Sequence, residues 1–242
     1  MCDVRKSALR WVMMGLAAGL AAGALATAHA QIGASTTIQR NRKEAHPRRE
    51  TNASREARIQ RTIDETYAHR WEVFGGGGYL RFRSGPNTKN NNEVSWATAA
   101  NYYLNPKLAI IGDARGSFGY AHQQLPLQYP QIPSPQINEY TFMGGASYRF
   151  YRKENVALSA QALGGMGWGI FSGGSKGLSS TALGIWPDGI KPAFSLGVSA
   201  DYNFFPNLAL RFTPTYVGTN FGGTVQNNIG FNAGVIYRFG KQ

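Results

Sequence analysis

From residue 71 onward, large apolar residues alternate with small or polar ones. A period of two residues is typical of a β-strand whose two faces meet different surroundings. In the clearest stretch, Phe194, Leu196 and Val198 alternate with Ser195 and Gly197. The pattern recurs eight times and predicts strands at residues 71–83, 94–104, 108–120, 138–150, 156–171, 191–204, 208–221 and 227–239.

The two faces of these strands differ in chemistry. One face carries aromatic rings, Phe74 and Phe82 among them, and we expect its outer girdles to include Trp96, Tyr102, Tyr148, Trp168, Tyr202, Tyr237 and Phe239. The other face is small or polar and includes the charged residues Arg81, Arg83, Asp113, Arg115, Glu139, Arg149, Asp201, Arg211 and Arg238. A soluble barrel would turn the rings inward, but an eight-stranded interior is only wide enough for ordinary side-chain packing. The rings are therefore predicted to face lipid, with the charges in the lumen.

The connections between the predicted strands alternate in length. Residues 105–107, 151–155 and 205–207 are short links, whereas 84–93, 121–137 and 172–190 are long. Short turns at one end and longer loops at the other are typical of outer-membrane barrels. Pro214 is the exception in the pattern, because proline cannot donate a hydrogen bond within a sheet. The predicted fold is all-β: an eight-stranded antiparallel up-and-down transmembrane β-barrel with a flexible N-terminal segment.

Two of the short links resemble each other, since residues 102–110 and 202–210 both begin with aromatic residues, contain Asn and Pro in the turn and continue with Leu-Ala. With the closing Tyr237-Arg238-Phe239, residues 71–242 resemble the eight-stranded outer-membrane protein A type barrels of Gram-negative bacteria. The resemblance implies a place in the outer membrane, with both termini in the periplasm and with contacts to membrane lipids and lipopolysaccharide. It also implies that the barrel-insertion machinery recognises the closing aromatic segment.

Residues 1–30 are predicted to be a signal peptide. Arg5, Lys6 and Arg10 precede the apolar residues 11–25, and Ala28-His29-Ala30 is a small-x-small cleavage site. An uncleaved N-terminal anchor is the alternative. The only cysteine is Cys2, so cleavage after residue 30 would leave no thiol for a disulfide or a Cys-ligated metal.

Residues 31–70 are polar and charged in a chain whose net charge is +12. They lack the apolar residues needed for a core, so we expect a solvated, flexible periplasmic segment. One short helix at residues 53–68 is an alternative. A basic arm of this kind would suit contact with anionic lipid or cell-wall polymer. Export leaves no nucleic acid for it to bind.

Little in the sequence indicates catalysis or the binding of a cofactor or metal. His122 is the only histidine of the barrel region, and Ser117 and Glu139 are its candidate partners in a lipid A-modifying enzyme. The glycine runs at 75–78 and 164–169 lack the strand-to-helix turn of a phosphate-binding loop. We expect no catalytic residues, no cofactor and no metal site.

The charged face leads to the functional hypotheses. Arg115 is expected to pair with Asp113 or Glu139, and Arg211 with Asp201. A lumen filled by such pairs indicates a structural or surface protein. The surplus of arginine alternatively favours a narrow, weakly anion-preferring channel. Apolar residues in loops 121–137 and 172–190 suit either a surface partner or the lipid rim.

Overall fold

A computed structural model describes residues 51–241 apart from 87, 122–134, 174, 176, 178, 181 and 182. The predicted signal peptide and residues 31–50 lie outside the described part of the chain. One helix precedes eight strands: α1 (Asn52–Tyr67), β1 (His69–Arg83), β2 (Asn90–Tyr103), β3 (Leu108–Tyr120), β4 (Gln136–Arg152), β5 (Val156–Gly173), β6 (Gly189–Phe205), β7 (Leu208–Thr219) and β8 (Gln226–Lys241). No helix within these described ranges is both long and apolar enough to cross a membrane.

The strands form one closed antiparallel barrel in chain order. Each strand pairs with its successor, and β1 pairs with β8 from His69–Lys241 to Arg81–Ile229. The predicted fold class is confirmed. Seven predicted strands begin and end within two residues of the observed ones. Strand β2 begins four residues earlier than predicted, because its first residues, 90–93, are all polar and show no alternation.

The two ends of the barrel differ. The links at 104–107, 153–155 and 206–207 are short, and we call their side the turn end. Helix α1 also joins β1 at this end. The opposite side, which carries the links β1–β2, β3–β4, β5–β6 and β7–β8, is the loop end.

Pro214 lies inside β7 and marks a break in one ladder. Strands β6 and β7 pair at Gly197–Thr215 and again at Ala200–Phe212, with no pairing between these positions. On its other side, Pro214 stays in register with Phe231 of β8. The missing N–H of Pro214 therefore coincides with a gap in the pairing with β6, whereas the pairing with β8 is continuous.

Helix α1 corrects the expectation that residues 31–70 are flexible throughout. It corresponds to the alternative of a short helix at 53–68. The Thr51 side chain caps its start by accepting a hydrogen bond from the Ser54 N–H at 3.3 Å. Its last residues, Thr66 and Tyr67, are buried, so tertiary contacts stabilise an otherwise polar helix.

The seam between β1 and β8 depends on a pair of glycines. Gly76 and Gly234 are direct partners, and a Cβ on Gly234 would lie 2.2 Å from the Gly75 carbonyl oxygen. A Cβ on Gly76 would lie 2.3 Å from the Ala233 carbonyl oxygen. The strands that close the barrel therefore approach too closely for a side chain at either position.

We expect Gly234→Ala to destabilise the barrel by about 1–3 kcal/mol, because the added methyl group meets backbone atoms that cannot rotate away. The measurement is the urea midpoint of unfolding in detergent, followed by heat-modified gel mobility. Gly75→Ala is the matched control, since nothing lies within 4 Å of its Cβ position. Equal midpoints for the two variants would contradict this account of the seam.

Candidate functional site

The outer wall of the barrel is apolar. All seven predicted girdle residues face outward, and six of them are 40–52% exposed. The seventh, Tyr102, is half-buried because its ring packs 4.8 Å from that of Trp71. Leu196, Val198, Leu210 and Val235 are also exposed on the wall. A belt of exposed apolar side chains around a closed sheet is the surface of a protein that is solvated by lipid.

The prediction that Arg81 and Arg83 of strand β1 lie in the lumen is wrong. Arg81 and Arg83 are exposed on the outer wall, whereas Phe74 and Phe82 face the lumen. The prediction failed because both faces of β1 carry apolar residues, and the four glycines at 75–78 have no side chains to distinguish them. The parity of Glu72, the only acidic residue of this strand, would have identified the inner face.

The other seven predicted lumen residues are buried inside the barrel: Asp113, Arg115, Glu139, Arg149, Asp201, Arg211 and Arg238. Three of these arginines converge on the fully buried Glu72, which the sequence analysis missed. Nitrogen–oxygen distances to its carboxylate are 3.1 Å for Arg149, 2.5 Å for Arg211 and 2.9 Å for Arg238.

Asp201 completes this group near the turn end. Its carboxylate oxygens lie 2.7 Å from Nε of Arg211, its predicted partner, and 3.4 Å from Nη2 of Arg238. We call Glu72, Arg149, Asp201, Arg211 and Arg238 the ionic cluster. Its members come from β1, β4, β6, β7 and β8, so the cluster connects strands across the lumen.

Aromatic rings accommodate the extra positive charge of the cluster. The Arg149 guanidinium carbon lies 4.8 Å from the centre of the Tyr67 ring and 4.3 Å from that of Tyr103. Arg149 also donates a hydrogen bond to the Tyr103 hydroxyl. Three guanidinium groups thus share two carboxylates and the faces of two rings.

Tyr67 attaches helix α1 to this end of the barrel. Its hydroxyl donates to the Lys153 carbonyl oxygen at 2.8 Å and accepts from the Asn203 side-chain amide at 3.1 Å. Burial raises the pKa of the Tyr67 phenol above its ordinary value. The phenol is therefore protonated at neutral pH, as its donor role requires.

Arg115 forms a second ion pair in the lumen, nearer the loop end than the ionic cluster. Its Nε lies 2.7 Å from Asp113, one of the two predicted partners, and its Nη1 donates to Ser195 across the barrel at 3.4 Å. Glu139, the other predicted partner, makes no pair with Arg115. The carboxylate oxygens of Glu139 and of Glu93 are buried without a hydrogen-bond partner in the described structure.

An apolar cluster fills the loop end. It comprises Leu80, Phe82, Ala121, Ile137, Phe171, Leu183, Ile185, Val217 and Phe221, with Trp186 packed against it. We call this group the loop-end cluster. The ring centres of Phe82 and Phe171 are 5.8 Å apart, and those of Phe171 and Phe221 are 5.0 Å apart.

The β5–β6 link contributes to this cluster by folding inward. Trp186 donates its backbone N–H to the Ser84 carbonyl oxygen at 2.8 Å and its indole N–H to that of Arg83 at 2.9 Å. A cavity of about 20 Å³, lined by Ser95, Arg115 and Ser117 among others, lies deeper in the lumen. Such a cavity holds about one water molecule.

Two of the three candidate catalytic residues lie within the described structure. Ser117 and Glu139 are register partners, but both are buried in the lumen. His122 lies outside the described residues. Among the residues that are described, no three His, Cys, Asp or Glu side chains are grouped to hold a metal ion.

Eight antiparallel strands, an apolar outer wall with aromatic residues and a charged interior define an outer-membrane-type β-barrel. At the level of fold, the resemblance to outer-membrane protein A type barrels is confirmed.

No protein-family model matches the chain, and no curated protein matches it. Among solved structures, it is similar to Ail, the attachment invasion locus protein of Yersinia pestis, at 17% identity and a TM-score of 0.46, covering 70% of this chain and 97% of Ail. Neisserial surface protein A matches at 19% identity and a TM-score of 0.49, with coverages of 70% and 97%. The outer membrane protein OprG of Pseudomonas aeruginosa matches at 11% identity and a TM-score of 0.49, covering 72% of this chain and 98% of OprG.

We expect Glu72→Gln to destabilise the barrel by about 3–5 kcal/mol, because it leaves buried guanidinium groups without their shared carboxylate. Denaturant unfolding in detergent measures the loss. Glu93→Gln is the matched control: the same substitution in a buried residue without an ionic partner should leave stability unchanged or raise it. A larger loss for Glu93→Gln than for Glu72→Gln would disprove the central role of Glu72.

Proposed function

We propose that the protein is a non-conducting outer-membrane barrel with a structural or surface role, and that it acts without catalysis. Its loop end faces the cell surface, and helix α1 and both ends of the barrel domain lie in the periplasm. The observation that carries this proposal is the filling of the lumen by two unlike groups, the ionic cluster and the loop-end cluster.

The ionic cluster opposes ion flow near the turn end. Each arginine of the cluster already contacts a buried carboxylate, and the cluster residues are at most 6% exposed. A passing anion would have to displace Glu72 or Asp201 from these contacts. Because separating a buried ion pair is costly, the lumen favours rigidity over conduction.

The loop-end cluster opposes the entry of water at the other end. Phe82, Phe171 and Phe221 are at most 1% exposed and pack against one another across the lumen. An ion that crossed this packed apolar layer would lose its hydration shell, which costs a large free energy. The surplus of arginine that favoured an anion channel is also removed, because Arg81 and Arg83 face outward whereas Glu72 and Glu93 face the lumen.

The surface role falls to the loops. Leu183 and Ile185 of the β5–β6 link pack inside the barrel, so these two apolar residues are unsuited to contact a surface partner. Most of loop 121–137 lies outside the described residues, and for it both expectations remain, contact with a surface partner or with the lipid rim. Val225 in the β7–β8 link is exposed.

The barrel wall and strand β8 support the proposed location and partners. The apolar wall requires lipid, which in this location includes lipopolysaccharide. Tyr237 and Phe239 stack on the outer wall at 6.0 Å, while Arg238 between them binds Glu72 inside. The closing segment thus presents two rings to the bilayer and to the insertion machinery. Contact of residues 31–70 with cell-wall polymer or anionic lipid belongs to the same proposal.

We expect the purified full-length protein to give no discrete conductance steps in planar bilayers, because both clusters close the lumen. A porin inserted in the same bilayer serves as the positive control. Salt-dependent steps with anion preference, altered by Arg115→Ala, would replace the structural role with that of a channel.

The proposed orientation predicts which end reacts with an impermeant maleimide. In a background with Cys2→Ser, Thr224→Cys in the β7–β8 link should be labelled in intact cells. Asn207→Cys in the β6–β7 turn should be labelled only after the outer membrane is permeabilised. The reverse pattern would place the loop end in the periplasm.

A further inference from the structure

Strand β1 carries two arginines on the lipid-facing wall. Its outward positions run from Trp71 through Val73, Gly75, Gly77 and Tyr79 to Arg81 and Arg83. The column is apolar or side-chain-free up to Tyr79 and cationic beyond it. A charged side chain in the apolar band is costly, so this change marks the level at which the wall leaves the hydrocarbon.

The neighbouring strands change character at the same level. On β2, the outward residue Val94 is followed toward the loop end by Asn92 and Asn90, which pair with Arg81 and Arg83. On β8, Ile229 is followed by Asn227. We call Arg81, Arg83, Asn90, Asn92 and Asn227 the rim patch.

Strand geometry places the rim patch at the depth of lipid headgroups. Trp71 belongs to the aromatic girdle at the turn end, where its ring stacks on Phe239. Ten residues separate Trp71 from Arg81, which corresponds to a height of about 25 Å for a strand tilted by about 40°. This equals the usual height of the apolar band, so Arg81 lies just beyond its far edge.

The rim patch contains no compensating negative charge. Neither β8, β1 nor β2 has an Asp or Glu on its outward face; Glu72 and Glu93 both point into the lumen. Arg81 makes no hydrogen bond or ion pair with any residue that the structure describes. Its guanidinium donors are available to a ligand from the bilayer.

Arg83 is partly fixed in place. Its Nε donates to the Gly85 carbonyl oxygen at 3.2 Å, and its Nη2 donates to that of Pro86 at 2.7 Å. These bonds leave Nη1 for a second interaction. Arg83 also lines a cavity of about 450 Å³ with Asn90, Trp186 and Asn227. The guanidinium of Arg83 held by hydrogen bonds, the exposed guanidinium of Arg81 and the amide side chains together suit an oxyanion with several oxygens.

We propose that the rim patch binds the phosphate of a lipid in the surrounding leaflet, through Arg81 and Arg83. The inference rests on the proposed orientation, which makes this leaflet the outer one, where the phosphorylated lipid is the lipid A part of lipopolysaccharide. Charge complementarity favours this occupant over a zwitterionic headgroup. These contacts between the arginines and the lipid phosphate would hold a lipid molecule against the side of the barrel.

The test measures binding of purified lipid A to the folded full-length protein by native mass spectrometry from non-ionic detergent. The Arg81→Gln/Arg83→Gln double variant should bind phosphorylated lipid A about tenfold or more weakly than the unaltered protein, since two charge-assisted contacts are lost. Arg70→Gln is the matched control at the turn end of the same strand and should bind normally. Heat-modified gel mobility verifies that every variant is folded.

Two further ligands separate phosphate recognition from other causes. Dephosphorylated lipid A should bind the unaltered protein about as weakly as phosphorylated lipid A binds the double variant. Equal binding of both lipids would mean that only acyl chains are recognised and would overturn the inference. Displacement of lipid A by millimolar inorganic phosphate would also overturn it in favour of a free-anion site.

The orientation and the lipid site can fail separately. If maleimide labelling shows the loop end outside and the double variant binds lipid A normally, the rim patch has no such role and the proposed function stands. If labelling shows the reverse orientation, the proposed function fails whatever the lipid measurement gives.

Discussion

The barrel depends on a shared carboxylate. Glu72 accepts contacts from Arg149, Arg211 and Arg238, which lie on three other strands, and so connects β1 with β4, β7 and β8. An ion pair on the surface would contribute little, because water competes for each charge. Inside a closed sheet the same charges are shielded from water, so strand positions that satisfy them together are strongly favoured over slipped registers.

Two consequences follow from the width of an eight-stranded barrel. The interior accommodates side chains and little else, so polar groups must pair with one another and apolar ones must pack. The lumen separates them along its length, with the ionic cluster near the turns and phenyl rings near the loops. Helix α1 adds to the first group through Tyr67, whose ring faces Arg149 and whose hydroxyl reaches the β4–β5 turn.

The outer wall meets the opposite requirement. Lipid offers no partner to a polar group, so charged side chains on the wall are confined to its edges. Arg81 and Arg83 obey this rule although their strand also supplies Glu72 to the lumen. Strand β1 thus contributes Glu72 from its inward face and the two arginines of the rim patch from its outward face.

The sequence by itself determined the number of strands, the girdle residues and the pair Arg211–Asp201, because period-two alternation and turn spacing are local properties. It did not determine the faces of β1, since glycines at 75–78 separate two apolar runs and leave the parity undefined. Nor did it reveal the partners of Glu72, which lie 77, 139 and 166 residues away. Only closure of the sheet brings those arginines to one carboxylate, and only the barrel buries Thr66 and Tyr67 at the end of helix α1. These features depend on contacts between distant residues, which the tertiary structure alone defines.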